Sequence, residues 1–154
     1  MLTRIAELQE RLGNNEEAIK AIEKLLAIDP ANVPLKKMLI EFNLKAKRYD
    51  EGIILADEII ELMPDDLETR EAKAKLLLGK NDWEGASKEF DYLLDQPDVN
   101  LDAKINIGAN YFNKAITDST MLPIAKSFFT KLDEDTTNWQ IKMYLGAIAL
   151  SEGD

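Results

Sequence analysis

The chain has 154 residues, of which 45% are apolar and 31% are charged, and its formal net charge is −10. This length and composition are typical of one folded domain with a hydrophobic core. No apolar run approaches the roughly 18 residues of a membrane-spanning helix, so we expect no membrane insertion. The negative charge repels phosphate backbones and anionic lipid, so we expect no nucleic acid among the partners.

Cysteine and histidine are both absent from the chain. Disulfides, zinc sites built on these residues, and Ser-His or Cys-His nucleophiles are therefore impossible within it. The glycines are scattered along the sequence, and none of them forms a phosphate-binding loop motif. We therefore predict that the chain is not an enzyme and needs no cofactor.

The N-terminal stretch MLTRIAELQERLG alternates charged residues with Leu and Ile, unlike the apolar core of a signal peptide. A chain without cysteine is compatible with a reducing or an oxidising compartment. The sequence therefore leaves localisation open. It favours the cytoplasm slightly, and the periplasm fits if a targeting segment has been removed.

The hydrophobic periodicity predicts a chain of helices joined by short polar turns. Apolar residues recur at three- and four-residue spacing, as do Ile19, Ile22 and Leu26. Prolines such as Pro30 and Pro64 stand just past a predicted helix and block its continuation. In chain order, the nine predicted helices cover residues 2–12, 15–28, 33–46, 50–62, 67–79, 82–94, 101–115, 121–132 and 137–151.

These helices follow an internal repeat, since the interval from Pro30 to Pro64 equals the interval from Tyr49 to Trp83. A small residue stands early in every second helix, where two helix backbones must approach closely. These small residues are Ala18, Gly52, Ala86 and Ala125. The repeat divides the chain into four hairpins and a half, over residues 1–32, 33–66, 67–99, 100–136 and 137–154.

The period, the Gly and aromatic residues of the turn, and the small, bulky and Pro residues after it resemble the tetratricopeptide repeat. The first repeat matches best, at Gly13, Ala18, Ile22, Leu26, Asp29 and Pro30. The third places Lys73 where a large apolar residue normally packs. The resemblance implies one all-α domain over residues 1–154, a right-handed superhelical solenoid of antiparallel helix hairpins whose first helices line a concave groove.

Two other helical architectures fit the sequence less well. A coiled coil needs unbroken heptads, whereas Gly and Pro interrupt this chain in every repeat. A non-repeat helical bundle uses the same helices and stays open, because helix class is easier to predict than topology.

The resemblance also implies a scaffold that binds a partner protein, as a peptide or a helix, in the concave groove. The residues that we expect to face this groove include Lys37, Glu41, Lys45, Lys75, Phe112 and Asn113. Two interpretations of Phe112 stay open: an apolar contact for the partner, or packing between neighbouring hairpins. The basic run over residues 35–48 fits either a patch for an acidic partner segment or a solvated helix face.

The acidic run DEDTTN, residues 133–138, has the spacing with which a calcium loop begins. However, Asn138 stands where such a loop needs Gly, and Tyr144 stands where it needs a bidentate Glu. We therefore interpret the run as a polar turn that caps the last helix, and we predict no metal site.

The predicted last helix is apolar over much of its circumference, whereas a helix that only ends a repeat array should have a polar outer face. We expect an exposed apolar surface formed by Trp139, Met143, Tyr144 and Ile148. It would be covered by a further helix, if the chain is a piece of a longer protein, or by a second copy in a homodimer. Two alternative functions follow, an oligomerisation module that uses this helix and a regulatory arm of a larger enzyme.

Overall fold

The computed structural model describes Arg4 and residues 13–153. This part of the chain is all-α, with eight α-helices, one 3-10 helix over Ser119–Met121 and no strand. The α-helices are α1 Asn15–Ile28, α2 Val33–Lys45, α3 Tyr49–Leu62, α4 Leu67–Gly79, α5 Trp83–Leu94, α6 Leu101–Thr117, α7 Leu122–Asp135 and α8 Trp139–Glu152. The corresponding eight predictions are confirmed to within a few residues, and the predicted helix over residues 2–12 lies outside the described residues but for Arg4.

Side-chain caps fix several of the helix starts. The Asn32 side chain accepts a hydrogen bond from the Leu35 N–H at 3.1 Å, at the start of α2. Asn138 accepts one from the Gln140 N–H at 2.8 Å, at the start of α8. Each bond satisfies a backbone donor that has no partner within its own helix. The turn after the acidic run 133–135 is therefore a helix cap.

The sequence repeat reappears in the backbone of the turns. Gly13, Lys47 and Asn81 follow one another at the repeat interval, and their φ angles are +73°, +60° and +64°. Gly153, after α8, has a φ of +84°. Each of these four positions therefore uses one residue in the left-handed region, and at Lys47, Asn81 and Gly153 that residue follows the end of α2, α4 and α8. Gly153 thus shares a positive φ with the turn residues Lys47 and Asn81.

The chain forms two compact units, residues 1–92 and residues 93–154. In the first unit, α1 packs on α2, α2 on α3, and α3 on α4. One buried cluster joins α1 to α2 and contains Ala18, Ile19, Ile22, Leu39 and Phe42. A second joins α2, α3 and α4 and contains Ile40, Ala56, Ile59 and Leu76. Gly52 allows this packing, because a Cβ there would lie 2.7 Å from Cδ2 of Leu76.

An ion-pair network explains how Lys73 is accommodated at a position that favours an apolar residue. Its Nζ lies 2.8 Å from Oδ1 of Asp57 on α3 and 2.6 Å from Oε1 of Glu89 on α5. Arg70 approaches the other Glu89 oxygen at 2.9 Å. Burial acts to lower the pKa of Lys73, but the hydrogen bonds to Asp57 and Glu89 outweigh it and raise that pKa above 10.5. Charge pairing thus joins these three helices, next to the apolar cluster that α3 and α4 share with α2.

In the second unit, α7 packs against both α6 and α8. Aromatic rings provide much of this core. The Phe129 ring stacks on Tyr144 of α8 with centroids 4.5 Å apart, and Phe112 of α6 meets the same tyrosine at 5.3 Å. Tyr111 is fully buried, with its ring 5.7 Å from that of Phe128.

Candidate partner-binding site on α2 and α4

Helices α2 and α4 are the first helices of two successive hairpins, and they contact each other in the first unit. Between them lies a cavity of about 260 Å³. Its lining comprises Lys37, Met38, Ile40, Glu41, Phe42 and Lys45 from α2, and Glu68, Thr69 and Ala72 from α4. The buried part of the lining includes Ile40 and Phe42, whereas Glu41, Lys45 and Glu68 are exposed. The site is an apolar cavity with charged residues at its opening.

Lys37 is held in place by carboxylates from the start of α4. Its Nζ lies 2.8 Å from Asp66 and 2.6 Å from Glu68. Burial acts to lower the pKa of Lys37, but these hydrogen bonds outweigh it and raise the pKa. For Asp66, burial acts to raise the pKa, and hydrogen bonds from Lys37 and Thr69 lower it below its usual value. A partner carboxylate at Lys37 would therefore compete with two groups already bound to it.

Lys45 contributes a cation at the other end of the opening. Its Nζ lies 5.4 Å from the centroid of the Phe42 ring, within the range of a cation–π interaction. With Lys37, Glu41 and Glu68, it gives the opening two positive and two negative charges. These four charged residues of the lining therefore carry no net charge between them.

Three of the predicted groove residues, Lys37, Glu41 and Lys45, line this one cavity. Lys75 lies outside the lining and forms an ion pair with Glu71 at 2.6 Å. Phe112 and Asn113 belong to the second unit. Phe112 is half-buried with its ring against Tyr144, which favours packing as its role, and Asn113 is exposed.

The apolar part of the lining was not predicted from the sequence. Met38 and Phe42 stand four residues apart on α2, so they occupy one helix face. That spacing is a usable signal, but Phe42 also belongs to the buried cluster between α1 and α2. A pattern of this kind predicts core packing and does not distinguish the edge of a core from the wall of a cavity.

The predicted apolar surface of α8 is partly wrong. Trp139 and Met143 are exposed, at 72% and 50% of their surface, but Ile148 is fully buried. Ile148 lies seven residues after the buried Ile141, so both are on the face that packs in the second unit. Tyr144 is half-buried by its stack on Phe129. The four residues therefore occupy different faces of α8.

The described residues form an all-α helical-repeat protein with a cavity between the first helices of two successive hairpins. Residues 10–76 match the family model described as "Tetratricopeptide repeat". No curated protein sequence shows significant similarity to the chain. This match covers 67 of the 154 residues, and the helices of the described part of the chain fit about four tetratricopeptide repeats and a final half repeat.

Solved structures share the fold. A tetratricopeptide repeat protein from Parabacteroides merdae ATCC 43184 has a TM-score of 0.75 at 16% identity, over 99% of this chain and 59% of that one. MamA has a TM-score of 0.71 at 17% identity, over 97% and 85% of the two chains. A protein from Bacteroides ovatus ATCC 8483 has a TM-score of 0.55 at 16% identity, over 99% and 96%. The chain thus spans about three fifths of the Parabacteroides protein.

The tetratricopeptide fold supports a general role as a protein-protein interaction scaffold, and its members are typically non-catalytic. Within residues 13–153, no three Asp or Glu residues are grouped so that they could hold a metal ion. None of the described helices is both long and apolar enough to cross a membrane.

Proposed function

We propose that the chain binds a segment of a partner protein along α2 and α4, with one large apolar side chain of the partner inside the cavity. The observation that carries this proposal is the 260 Å³ cavity itself, where three of the predicted groove residues meet apolar walls. A cavity of that volume accommodates a Leu, Met or Phe side chain. Ligand sites typically combine apolar walls with a few polar groups that fix orientation.

The apolar side chain supplies most of the affinity in this proposal. Burying one Leu, Met or Phe contributes about 1.5–3 kcal/mol, whereas an exposed ion pair contributes about 0–1 kcal/mol. Glu41 and Lys45 therefore select the partner's flanking charges rather than hold the partner. Lys75 and Asn113 are retained as proposed partner contacts outside the cavity, whereas Phe112 is assigned to packing against Tyr144. The partner is a protein, and neither nucleic acid nor an inserted membrane is proposed.

The experiment selects peptides from a random display library on the wild-type chain and measures their dissociation constants by calorimetry. Ala72→Trp fills the cavity from its α4 wall and should weaken the selected peptides at least tenfold. Ala103→Trp, at a half-buried alanine of α6 in the second unit that lies away from Phe112 and Asn113, is the matched control and should leave the affinity unchanged. Circular dichroism confirms that both variants keep their helicity.

A second pair of variants tests the opening. Lys45→Glu should alter which flanking charges the selected peptides carry, whereas Lys20→Glu on α1 should not. We avoid Lys37→Glu as the primary test, because it would place a carboxylate beside Asp66 and Glu68 and unsettle the start of α4. Selected peptides that bind Ala72→Trp as tightly as wild type would overturn the proposed site.

A further inference from the structure

Four residues on the outer side of α8 form one line, which we name the terminal stripe: Trp139, Met143, Gly146 and Leu150. Their spacing of four, three and four residues keeps them on one face of the helix, over about 16 Å. Trp139, Met143 and Leu150 are 72%, 50% and 78% exposed. Gly146, which lies between Met143 and Leu150, is exposed as well. The terminal stripe is thus an apolar surface with a gap in its middle.

The same pattern, with the same spacing, occurs on α6 as Leu101, Ile105, Gly108 and Phe112. There the glycine is needed, because a Cβ at Gly108 would lie 2.6 Å from Cζ of Phe129 on α7. At Gly146, a Cβ would meet no atom of the described residues within 4 Å. On α6, this face is covered by α7. The equivalent face of α8 has open space in front of Gly146.

The order of side chains in the terminal stripe is self-complementary. A second α8 laid antiparallel, about a two-fold axis midway between Met143 and Gly146, places Trp139 beside Leu150 of the second copy. The same placement sets Met143 against Gly146 of the second copy, so a flexible side chain enters the gap that the glycine leaves. Such a contact is isologous, with the same surface on both copies, as in most homodimers.

The charges of α8 do not oppose this pairing locally. Lys142 is paired with Asp133, and Glu152 lies 2.6 Å from Lys126. Each copy nevertheless carries a net charge of −10, so two copies repel at long range. Salt screens such repulsion, and the association should therefore tighten as ionic strength rises.

We propose that a second copy of this chain covers the terminal stripe, as an antiparallel two-fold homodimer centred between Met143 and Gly146. The proposal is independent of the cavity on α2 and α4, which lies in the other unit. A single helix pair buries less surface than a standard stable interface, so the dimer is a weak, concentration-dependent one.

Sedimentation velocity over a concentration series up to about 0.5 mM measures the dissociation constant. Wild type should dimerise, and Gly146→Met should weaken the dimer at least tenfold by setting two methionines against each other. The same substitution should raise the unfolding midpoint of the dilute monomer, because Gly is a poor helix former and its surroundings are open. If Gly146→Met loses association but gains stability, the loss comes from the filled interface, because a misfolded variant would be less stable.

A rescue tests the antiparallel register. Met143→Ala combined with Gly146→Met exchanges the large and small positions and should restore the dimer to within about threefold of wild type. Leu150→Lys should weaken it, whereas Ile116→Lys, an equally exposed apolar position on α6, should leave it unchanged.

Three results would overturn the proposal. A wild-type chain that stays monomeric at every concentration would mean that a helix of different origin, from another protein or a longer chain, covers the stripe. A dimer that Gly146→Met leaves intact would place the interface elsewhere. A dimer that is lost in Gly146→Met and is not restored by the exchange would exclude the antiparallel register.

Discussion

The two units use the same hairpin geometry with different chemistry at the helix contacts. In the first unit, ion pairs among Lys73, Arg70, Asp57 and Glu89 join α3, α4 and α5, in addition to the apolar cluster that α3 and α4 share. In the second unit, the contacts among α6, α7 and α8 centre on stacked aromatic rings such as Phe129 and Tyr144. The difference shows that the repeat fixes where helices meet, whereas the residues added to the apolar packing there can be charged pairs or aromatic rings.

The largest loss of stability is expected when the aromatic contact of the second unit is removed. Phe129→Ala removes a fully buried ring that stacks on Tyr144, and it should lower the free energy of unfolding by about 3–5 kcal/mol. Urea denaturation followed by circular dichroism measures this change. Ile116→Ala, at an exposed apolar residue of the same unit, is the control and should stay within about 0.5 kcal/mol of wild type. A small loss of stability in Phe129→Ala would mean that the aromatic rings contribute little to the stability of the second unit.

A smaller effect is expected where charge pairing holds the helices. Glu89→Ala leaves Lys73 and Arg70 without their shared partner and should cost about 2 kcal/mol, less than the loss of one partner from a fully buried pair. The cost is smaller because both cations retain some access to water. Adding Lys73→Leu to Glu89→Ala should recover part of the loss in urea melts, since an apolar contact then replaces the charges. If the double variant recovers no stability, position 73 requires the positive charge of Lys73.

The stability of the first unit should also fall at low pH, because Asp66 becomes protonated. Its hydrogen bonds from Lys37 and Thr69 place its pKa below the ordinary 3.8. A lowered carboxyl pKa stabilises the fold above the unfolded pKa, and the contribution is lost as pH falls through the folded pKa. Asp66→Asn should therefore lose less stability than wild type between about pH 5 and pH 2.5. Parallel losses in urea melts at these pH values would contradict the assignment.

The smallest expected effect concerns the turns, where the units differ in residue type but not in backbone. Lys47 adopts a φ of +60°, which costs a residue with a Cβ more than glycine, whereas Gly153 already meets the same requirement. Lys47→Gly should therefore raise stability by about 0.5–1 kcal/mol in thermal unfolding. Lys80→Gly is the matched control and should not raise stability, because Lys80 has right-handed helical angles. If Lys47→Gly lowers stability instead, the contacts of the Lys47 side chain outweigh the cost of its backbone conformation.

The helices were predictable because three- and four-residue spacing and turn-forming residues recur at one period, and these signals are local. Lys37, Glu41 and Lys45 were predictable as one surface for the same reason, since residues four apart on a helix share a face. Phe42 was not, because its role depends on how α2 and α4 approach each other. Ile148 was misplaced because α8 is apolar on several faces, and only its contacts with the unit decide which face is buried.

The pairing of Lys73 has a consequence for the order of the repeats. A tetratricopeptide array is modular, yet Glu89 stands one repeat after Leu55, which packs against both apolar clusters of the first unit. Exchanging these two helices would set a leucine against Lys73 and a carboxylate against an apolar cluster. The charge network thus distinguishes two helices that occupy equivalent places in the repeat, and we expect it to favour their present order.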